Sequence, residues 1–381
     1  MRIVVVSRFY WPDLGGAQAQ LRMLAREWGR VGHDVTVLTC RWNESWPAEE
    51  RIENHRIVRW PVWRTRFIGT IRFVRQIDQW LARHRKEYDV VMVSMLKHAA
   101  WTATRASRRL GFPVYLKSWG AGTSGDMAWQ RTGRLGMWIR GGTKGADGVF
   151  APSLAVEEEL QEAAYERIIR IPNGAPRMDP PWSPAETSAS RRQLGWPDRP
   201  TILTTGRLSW EKGLLDAVSA MPTVLRRVPE AQLVMVGEGP QREELESRAR
   251  SLGVADRVRM PGAVANVEPV LRGGDLYLLP SHFEGLSVAL LEALCLGMPA
   301  AVSNTPANLG ILPENLLPTF PVGSPESQGE LIADLLVSRR LHAELGTVRQ
   351  RACESFGIEG VARRHVEEFQ MGIDGRASGS A

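Results

Sequence analysis

Ser281-His-Phe-Glu-Gly-Leu-Ser-Val-Ala-Leu-Leu-Glu-Ala-Leu-Cys-Leu-Gly-Met-Pro299 is the stretch on which the reading of this sequence turns. The apolar run from Asp275 to Leu279, just before it, reads as a buried strand. Phe283-Glu284-Gly285-Leu286 then forms a loop. A helix is predicted from about Ser287 to Leu296, with Ser287 as its N-cap and Gly297 and Pro299 closing it. A helix that starts at the carboxyl end of a strand leaves free N–H groups and a positive dipole end there, where an anion such as a phosphate can be held. Glu284 stands just before that helix. Glu292 falls about one turn into it, among Leu290, Leu291, Ala293 and Leu294, where an acid is costly unless it has partners. Sugar hydroxyls are apt partners, because a carboxylate can accept two of them at once. The ordinary alternative is that Glu284 caps a loop and Glu292 is exposed or paired with an arginine.

Working back from this segment, Thr201–Thr205 reads as a strand and Gly206-Arg-Leu-Ser-Trp-Glu-Lys-Gly213 as a loop, with a helix over 214–227. Gly206 permits a tight turn and a close ligand approach; Arg207 offers a forked donor and Lys212 a point charge, both suited to phosphate oxygens. A solvated pair of loop cations is the commoner outcome for such residues alone. A further strand, Leu233–Val236, turns through Gly237-Glu-Gly-Pro240 into a helix, and that turn is read equally as a nucleotide contact or as a plain β-to-α turn. Strands follow at 258–260, 276–279 and 300–303. The first half repeats the design: strands at 3–7, 35–38, 89–93, 113–116, 146–153 and 168–174, with a helix after Gly15-Gly16. Short buried strands alternating with amphipathic helices argue for parallel sheets. The expected fold is α/β, two Rossmann-like doubly wound domains facing a cleft. The expected divisions are 1–176, a Pro- and Ser-rich linker 177–200, a second domain 201–355, a helix at 356–371 and a flexible tail at 372–381.

Bulk properties fit this. The chain has 381 residues, enough for two or three domains, and its 43% hydrophobic and 24% charged residues are ordinary for a globular protein. Three separated cysteines, Cys40, Cys295 and Cys353, exclude a disulfide framework and fit a reducing compartment. The apolar start is too short for a signal peptide, and no run suits a membrane span, so a cytoplasmic protein is expected. Residues 1–176 carry 27 Lys+Arg against 17 Asp+Glu and 11 of the 14 tryptophans; the rest carries 21 against 25. Two basic aromatic segments stand out, Arg59–Phe67 running on to Lys86, and Trp129–Lys144. They read either as helices with a solvated basic face or as peripheral contacts with the anionic inner face of a membrane. Nucleic acid is not expected as a partner, since no recognisable module accompanies the charge.

The segment around Glu284 and Glu292 resembles the E-x7-E signature of retaining GT-B glycosyltransferases, in particular the glycosyltransferase family 4 group. The loop with Arg207 and Lys212 is similar to that family's diphosphate-binding loop. The resemblance implies transfer of a sugar from a nucleoside diphosphate sugar to a saccharide or lipid-linked acceptor, as in polysaccharide or glycoconjugate synthesis, with retention at the anomeric carbon. It implies that Arg207 and Lys212 hold the diphosphate, that Glu284 binds donor-sugar hydroxyls and that Glu292 binds the ribose. Gly206, Gly237, Gly285, Leu286 and Ser287 complete the donor site. Pro261–Asn266 is placed like the family's base-contacting loop. Gly15-Gly16 matches the glycine-rich acceptor loop, and Pro172-Asn173-Gly174 a strand-end turn. The family's His-Gly is replaced by Lys117-Ser118-Trp119-Gly120, so Lys117, Trp119 and His98 are the candidates for that side of the site. The loop at Pro306–Gly310 lacks the family's Gly-Gly-x-Pro-Glu. No Asp-x-Asp occurs, and no metal or other cofactor is expected. Two other classes stay open: a sugar-nucleotide epimerase, separated by its independence of an acceptor, and a non-catalytic basic protein that binds membrane or nucleic acid.

Overall fold

Strands that are apolar on both faces are stable only where helices cover both sides of the sheet. The computed structural model has two such sheets. It describes residues 1–13, 15–62, 66–122 and 125–378, with Arg66 and Phe67 described by backbone alone. The chain divides into two compact units, Met1–Gly174 with Ile358–Ala381, and Ala175–Gly357.

In the first unit the strands are β1 (Arg2–Val6), β2 (Asp34–Arg41), β3 (Glu49–Ile52), β4 (His55–Pro61), β5 (Val90–Ser94), β6 (Val114–Lys117), β7 (Gly148–Ala151) and β8 (Ile168–Arg170). Their order is β3-β4-β2-β1-β5-β6-β7-β8. Every pair is parallel except the β3–β4 hairpin, in which Ile52 lies opposite His55. Alternate residues of β1 serve the two faces: Val4 and Val6 pack with Leu38 and Val93, and Ile3 and Val5 with Leu24 and Trp28.

The second unit contains β9 (Thr201–Thr205), β10 (Gln232–Val236), β11 (Val258–Gly262), β12 (Leu276–Leu279), β13 (Ala300–Ser303) and β14 (Thr319–Phe320). All are parallel, in the order β11-β10-β9-β12-β13-β14. This is the doubly wound arrangement, built outward in both directions from β9.

Three expectations are corrected. The stretch 177–200 is not a linker. It holds a helix, Pro184–Gln193, and belongs to the second unit. Trp182 and Trp196 are buried, Trp182 Nε1 donates to the Gly274 carbonyl at 3.0 Å, and Arg191 is buried beside them. Two indoles and one guanidinium anchor the segment, so it lacks the apolar stripe that would have revealed a helix. The chain divides at Gly174/Ala175 and Gly357/Ile358, not at 176 and 355. The expected tail from 372 is helical through Ser378, within a helix Ile358–Ser378 that belongs to the first unit. Its inner face is fixed by Trp28 Nε1 donating to the Ala362 carbonyl at 3.0 Å, and its last turns by the Arg376–Asp147 ion pair at 2.8 Å. Residues 379–381 of that expected tail lie outside the described residues.

Candidate functional site

At β9 the doubly wound sheet changes direction, and the loops leaving the carboxyl ends of β9 and β12 diverge there, which is where ligands bind in such sheets. These loops are Gly206–Gly213 and Ser281–Ser287. Backbone contacts lock them together: the amides of His282 and Phe283 donate to the Glu211 carbonyl at 2.8 and 3.3 Å. Gly213 has φ +62°, and a Cβ there would run into the Pro280 carbonyl, so glycine is required on both counts. Gly237 packs against the backbone of Gly206 with no room for a Cβ, and Leu208 N donates to the Glu238 carbonyl at 3.0 Å. The Gly237 turn thus has a complete packing explanation: it supports the loop that follows β9.

On this frame Lys212 Nζ donates to Glu284 Oε2 at 2.6 Å, and Ser281 Oγ donates to the same oxygen at 3.3 Å. The side chains are 25% and 13% exposed, so the pair is partly withdrawn from water yet reachable. A charge-assisted hydrogen bond in such a setting fixes both groups in direction. Arg207 lines the same recess as Lys212 and Ser281. It is exposed, and its guanidinium makes no hydrogen bond or ion pair among the described residues.

Ser287 caps the helix Val288–Leu296, its Oγ accepting from Leu290 N at 3.3 Å. Such a cap is worth about 1 kcal/mol. Gly285 and Leu286 are buried and carry the chain from Glu284 into that cap. Glu292 lies on the same helix, half-buried, with no hydrogen-bond or ion-pair partner among the described residues. Burial pushes its carboxyl up to about 7. Nearby, the Tyr277 hydroxyl and Thr205 Oγ1 are 3.2 Å apart, and burial with the charges of Glu292 and Glu284 raises the phenol. An acid destabilised as an anion, beside no protein donor, is ready to accept ligand hydroxyls.

Residue-by-residue reading of the sequence missed the side chains that brace this pair. His282 Nε2 and Asp216 Oδ2 are 2.6 Å apart, tying the β12 loop to the helix Leu214–Arg227. The Ser281 carbonyl accepts from Ser303 Oγ at 2.6 Å, and Asn308 Nδ2 donates to the Ser303 carbonyl at 2.9 Å. Ser281 and His282 were in view within the decisive segment, but partners 66 and 22 residues away carry no local signal. Among the described residues no group of three or more His, Cys, Asp or Glu is placed to hold a metal ion.

In the first unit, Gly15 and Gly16 are exposed at the start of the helix Gly16–Arg30, which has no side-chain cap. They follow β1, while His98 follows β5, its neighbour in the sheet; this is the direction change of that sheet. His98 opens the helix His98–Leu110, half-buried, its ring edge-on to Trp129 at 5.3 Å. Burial and the charges of Arg8 and Lys97 lower its pKa. Arg8, unremarked in the sequence, lies over the Trp42 ring at 5.5 Å, and Trp42 stacks on Phe9. Trp119 is half-buried, its Nε1 donating to Ser94 Oγ at 2.8 Å.

Lys117 is a correction. It is fully buried and lines no open site. Its Nζ lies 3.5 Å from Nε2 of His365, whose Nδ1 is 2.8 Å from the Val361 carbonyl, on the helix Ile358–Ser378. Burial lowers the amine to about 7 and takes His365 well below the ordinary histidine value. Lys117 ends its strand inside the helix-covered face rather than at the open edge.

The first basic aromatic segment is corrected in part. Arg59 and Trp60 belong to β4; Arg59 is buried and paired with Glu50 at 2.6 Å, and Trp60 packs edge-on to Phe73. Trp63, Arg64 and Thr65, with the side chains of Arg66 and Phe67, lie outside the described residues. In the second segment Leu135, Met137 and Trp138 are 52%, 72% and 58% exposed, and Arg131, Arg134 and Lys144 are exposed beside them in sequence. No helix among the described residues is long and apolar enough to cross a membrane.

Two family profiles match the chain, Glycosyl transferase 4-like domain over residues 15–174 and Glycosyl transferases group 1 over 186–350. It is 27% identical over 350 residues to a glycogen synthase of Mycobacterium tuberculosis, covering 80% of this chain and 78% of that protein. It is 27% identical over 366 residues to a GDP-mannose-dependent alpha-(1-6)-phosphatidylinositol monomannoside mannosyltransferase of the same species, covering 91% of each. The fold matches sucrose-phosphate synthase of Thermosynechococcus elongatus with a TM-score of 0.80 at 20% identity, covering 97% and 98% of the two chains. Anabaena HepE in complex with UDP and glucose also has a TM-score of 0.80, at 17% identity over 97% and 100%. With family signatures over both halves and two doubly wound sheets beneath them, the chain belongs to the family 4 group of glycosyltransferases and has the GT-B fold.

Proposed function

We propose that this enzyme transfers a sugar from a nucleoside diphosphate sugar to a saccharide or lipid-linked acceptor, with retention at the anomeric carbon and without a metal ion. The observation that carries this is the Lys212–Glu284 pair beside Arg207, which is unpaired among the described residues, at the direction change of the second sheet. Arg207 and Lys212 hold the diphosphate and meet the charge that develops as the sugar–phosphate bond breaks. Glu284, held by Lys212 and Ser281, accepts hydroxyls of the donor sugar. Glu292 accepts the ribose hydroxyls. Gly206, Gly285 and Ser287 shape the backbone around the phosphates, and the leaving phosphate takes the acceptor proton on the same face. In the first unit, Gly15, Gly16, His98 and Trp119 are assigned to the acceptor. Donors named for relatives, GDP-mannose and UDP-glucose, set the first choices to test.

Thermal unfolding of the purified protein with UDP, GDP, ADP or dTDP in EDTA tests this. One nucleotide at a hundred times its Kd stabilises by about 2.7 kcal/mol, and the melting temperature rises accordingly. No shift with any of the four at millimolar concentration, or a shift that needs Mg2+, contradicts the reading.

Leu135, Met137 and Trp138, exposed within a basic segment, favour peripheral contact with an anionic membrane that presents a lipid-linked acceptor. Flotation with phosphatidylglycerol vesicles but not phosphatidylcholine vesicles is expected, and a Met137→Glu, Trp138→Glu protein should stay in the soluble fraction. Equal recovery with both lipids removes this part of the proposal.

A further inference from the structure

A second recess lies in the Ala175–Gly357 unit at the opposite, amino-terminal edge of the sheet, where β9 and β12 begin. It has a volume of about 330 Å³ and is open to solvent. We infer that it binds a small phosphomonoester, at a site separate from the donor site.

The charges of the recess are unevenly answered. Its two carboxylates, Asp198 and Asp275, are both committed to Arg191: Nη1 bonds Asp198 at 3.1 Å and Nη2 bonds Asp275, while Nε donates to the Gly273 carbonyl at 2.9 Å. Ser188 Oγ also donates to Asp198, and Thr201 N to Asp275. Arg339 shares the field of Asp275, whose carboxyl it helps to lower, but is bonded to neither carboxylate. Its guanidinium makes no hydrogen bond or ion pair among the described residues, and neither does the ring of His342, which lies edge-on to Trp182 at 5.5 Å. Arg339 caps the helix Pro325–Ser338 with φ +52°, a conformation in which glycine is the unstrained residue. The chain therefore places a long cation where the backbone alone favours no side chain. A guanidinium fork with an imidazole beside it matches a terminal phosphate. Leu335, Leu336, Leu341 and Pro299 supply an apolar wall for the rest of the ligand, and the volume lies within the range of small-molecule sites. A nucleoside diphosphate is recognised at the other edge, through different residues.

Crystals of the wild type and of Arg339→Gly, soaked in sodium tungstate as a phosphate mimic, test this together with thermal unfolding in inorganic phosphate. The wild type should show anomalous density within hydrogen-bond distance of Arg339. Arg339→Gly should lose that peak alone, keep any at Arg207 and Lys212, and lose part of the phosphate-induced rise in melting temperature. Its unliganded melting temperature should rise by about 2 °C as the left-handed backbone relaxes. Tungstate at Lys212 only, or nowhere, overturns the inference without touching the donor site. A lower melting temperature for Arg339→Gly does so too, because it would make the guanidinium a structural part of the fold.

Discussion

A Lys212→Ala enzyme is expected to turn over about 10²–10³-fold more slowly than wild type, the loss produced by removing one preorganised donor from a developing oxyanion. The size follows from position. Lys212 reaches the recess from a loop that cannot shift, because Gly213 is packed on the Pro280 carbonyl and two amides of the neighbouring loop hold the Glu211 carbonyl. Its removal also frees Glu284, whose Oε2 would keep only Ser281 at 3.3 Å. Two groups thus lose their aim, and the rate falls further than nucleotide affinity does. Glu284→Gln keeps the volume and removes the charge, and it should lose turnover with little change in nucleotide-dependent thermal stabilisation. Initial rates with the donor picked out by thermal unfolding, read beside that stabilisation for each variant, separate the two roles. Near-wild-type rates in either variant would take that residue out of the chemistry.

Replacing Lys117 by Met is expected to stabilise the protein. The amine is fully buried, 3.5 Å from an imidazole nitrogen and 4.9 Å from the centre of the Trp119 ring, with no carboxylate bonded to it among the described residues, and its pKa falls to about 7 from the ordinary lysine value of 10.5. Between those values the unfolded chain holds a proton that the folded one gives up, so the wild type gains stability as pH rises through this window. The penalty is complete at pH 7 and below, and fades towards pH 10.5. Lys117→Met should therefore gain most at pH 7, roughly 1–3 kcal/mol by analogy with buried ionic groups exchanged for apolar ones, after the cost of leaving His365 Nε2 without a donor. Denaturant melts at pH 7 and pH 10 measure both the gain and its decline. A loss of stability at pH 7 would mean that the lysine–imidazole contact is a net support for the terminal helix.

The decisive segment from Ser281 to Pro299 could be read correctly without coordinates because its information is local. Directly after the strand Leu276–Leu279, a capped helix and a glycine stop are written within these 19 consecutive residues, and each obeys a short-range rule. The alternation of apolar strands with helices likewise gives two parallel sheets, and Arg207, Lys212 and Glu284 place charge in the loops that leave the strand ends. Where the sequence misled, the stabilising contact is distant. The segment 177–200 looks like a linker because its anchors are Trp182, Arg191 and Trp196, whose partners include Gly273, Gly274 and Asp275. Lys117 looks like a site residue because nothing near it in sequence reveals that His365 and the terminal helix cover it. Sequence alone thus determined most of the parallel strands and their sheet class, and marked which residues carry groups suited to a phosphate or a hydroxyl; the strands Glu49–Ile52 and His55–Pro61 and the helix Pro184–Gln193 were not legible in it. Only tertiary structure decided which of those residues share one recess, which cations are already paired and which acid is left without a partner, because burial and ion pairing are set by chain segments that meet in space.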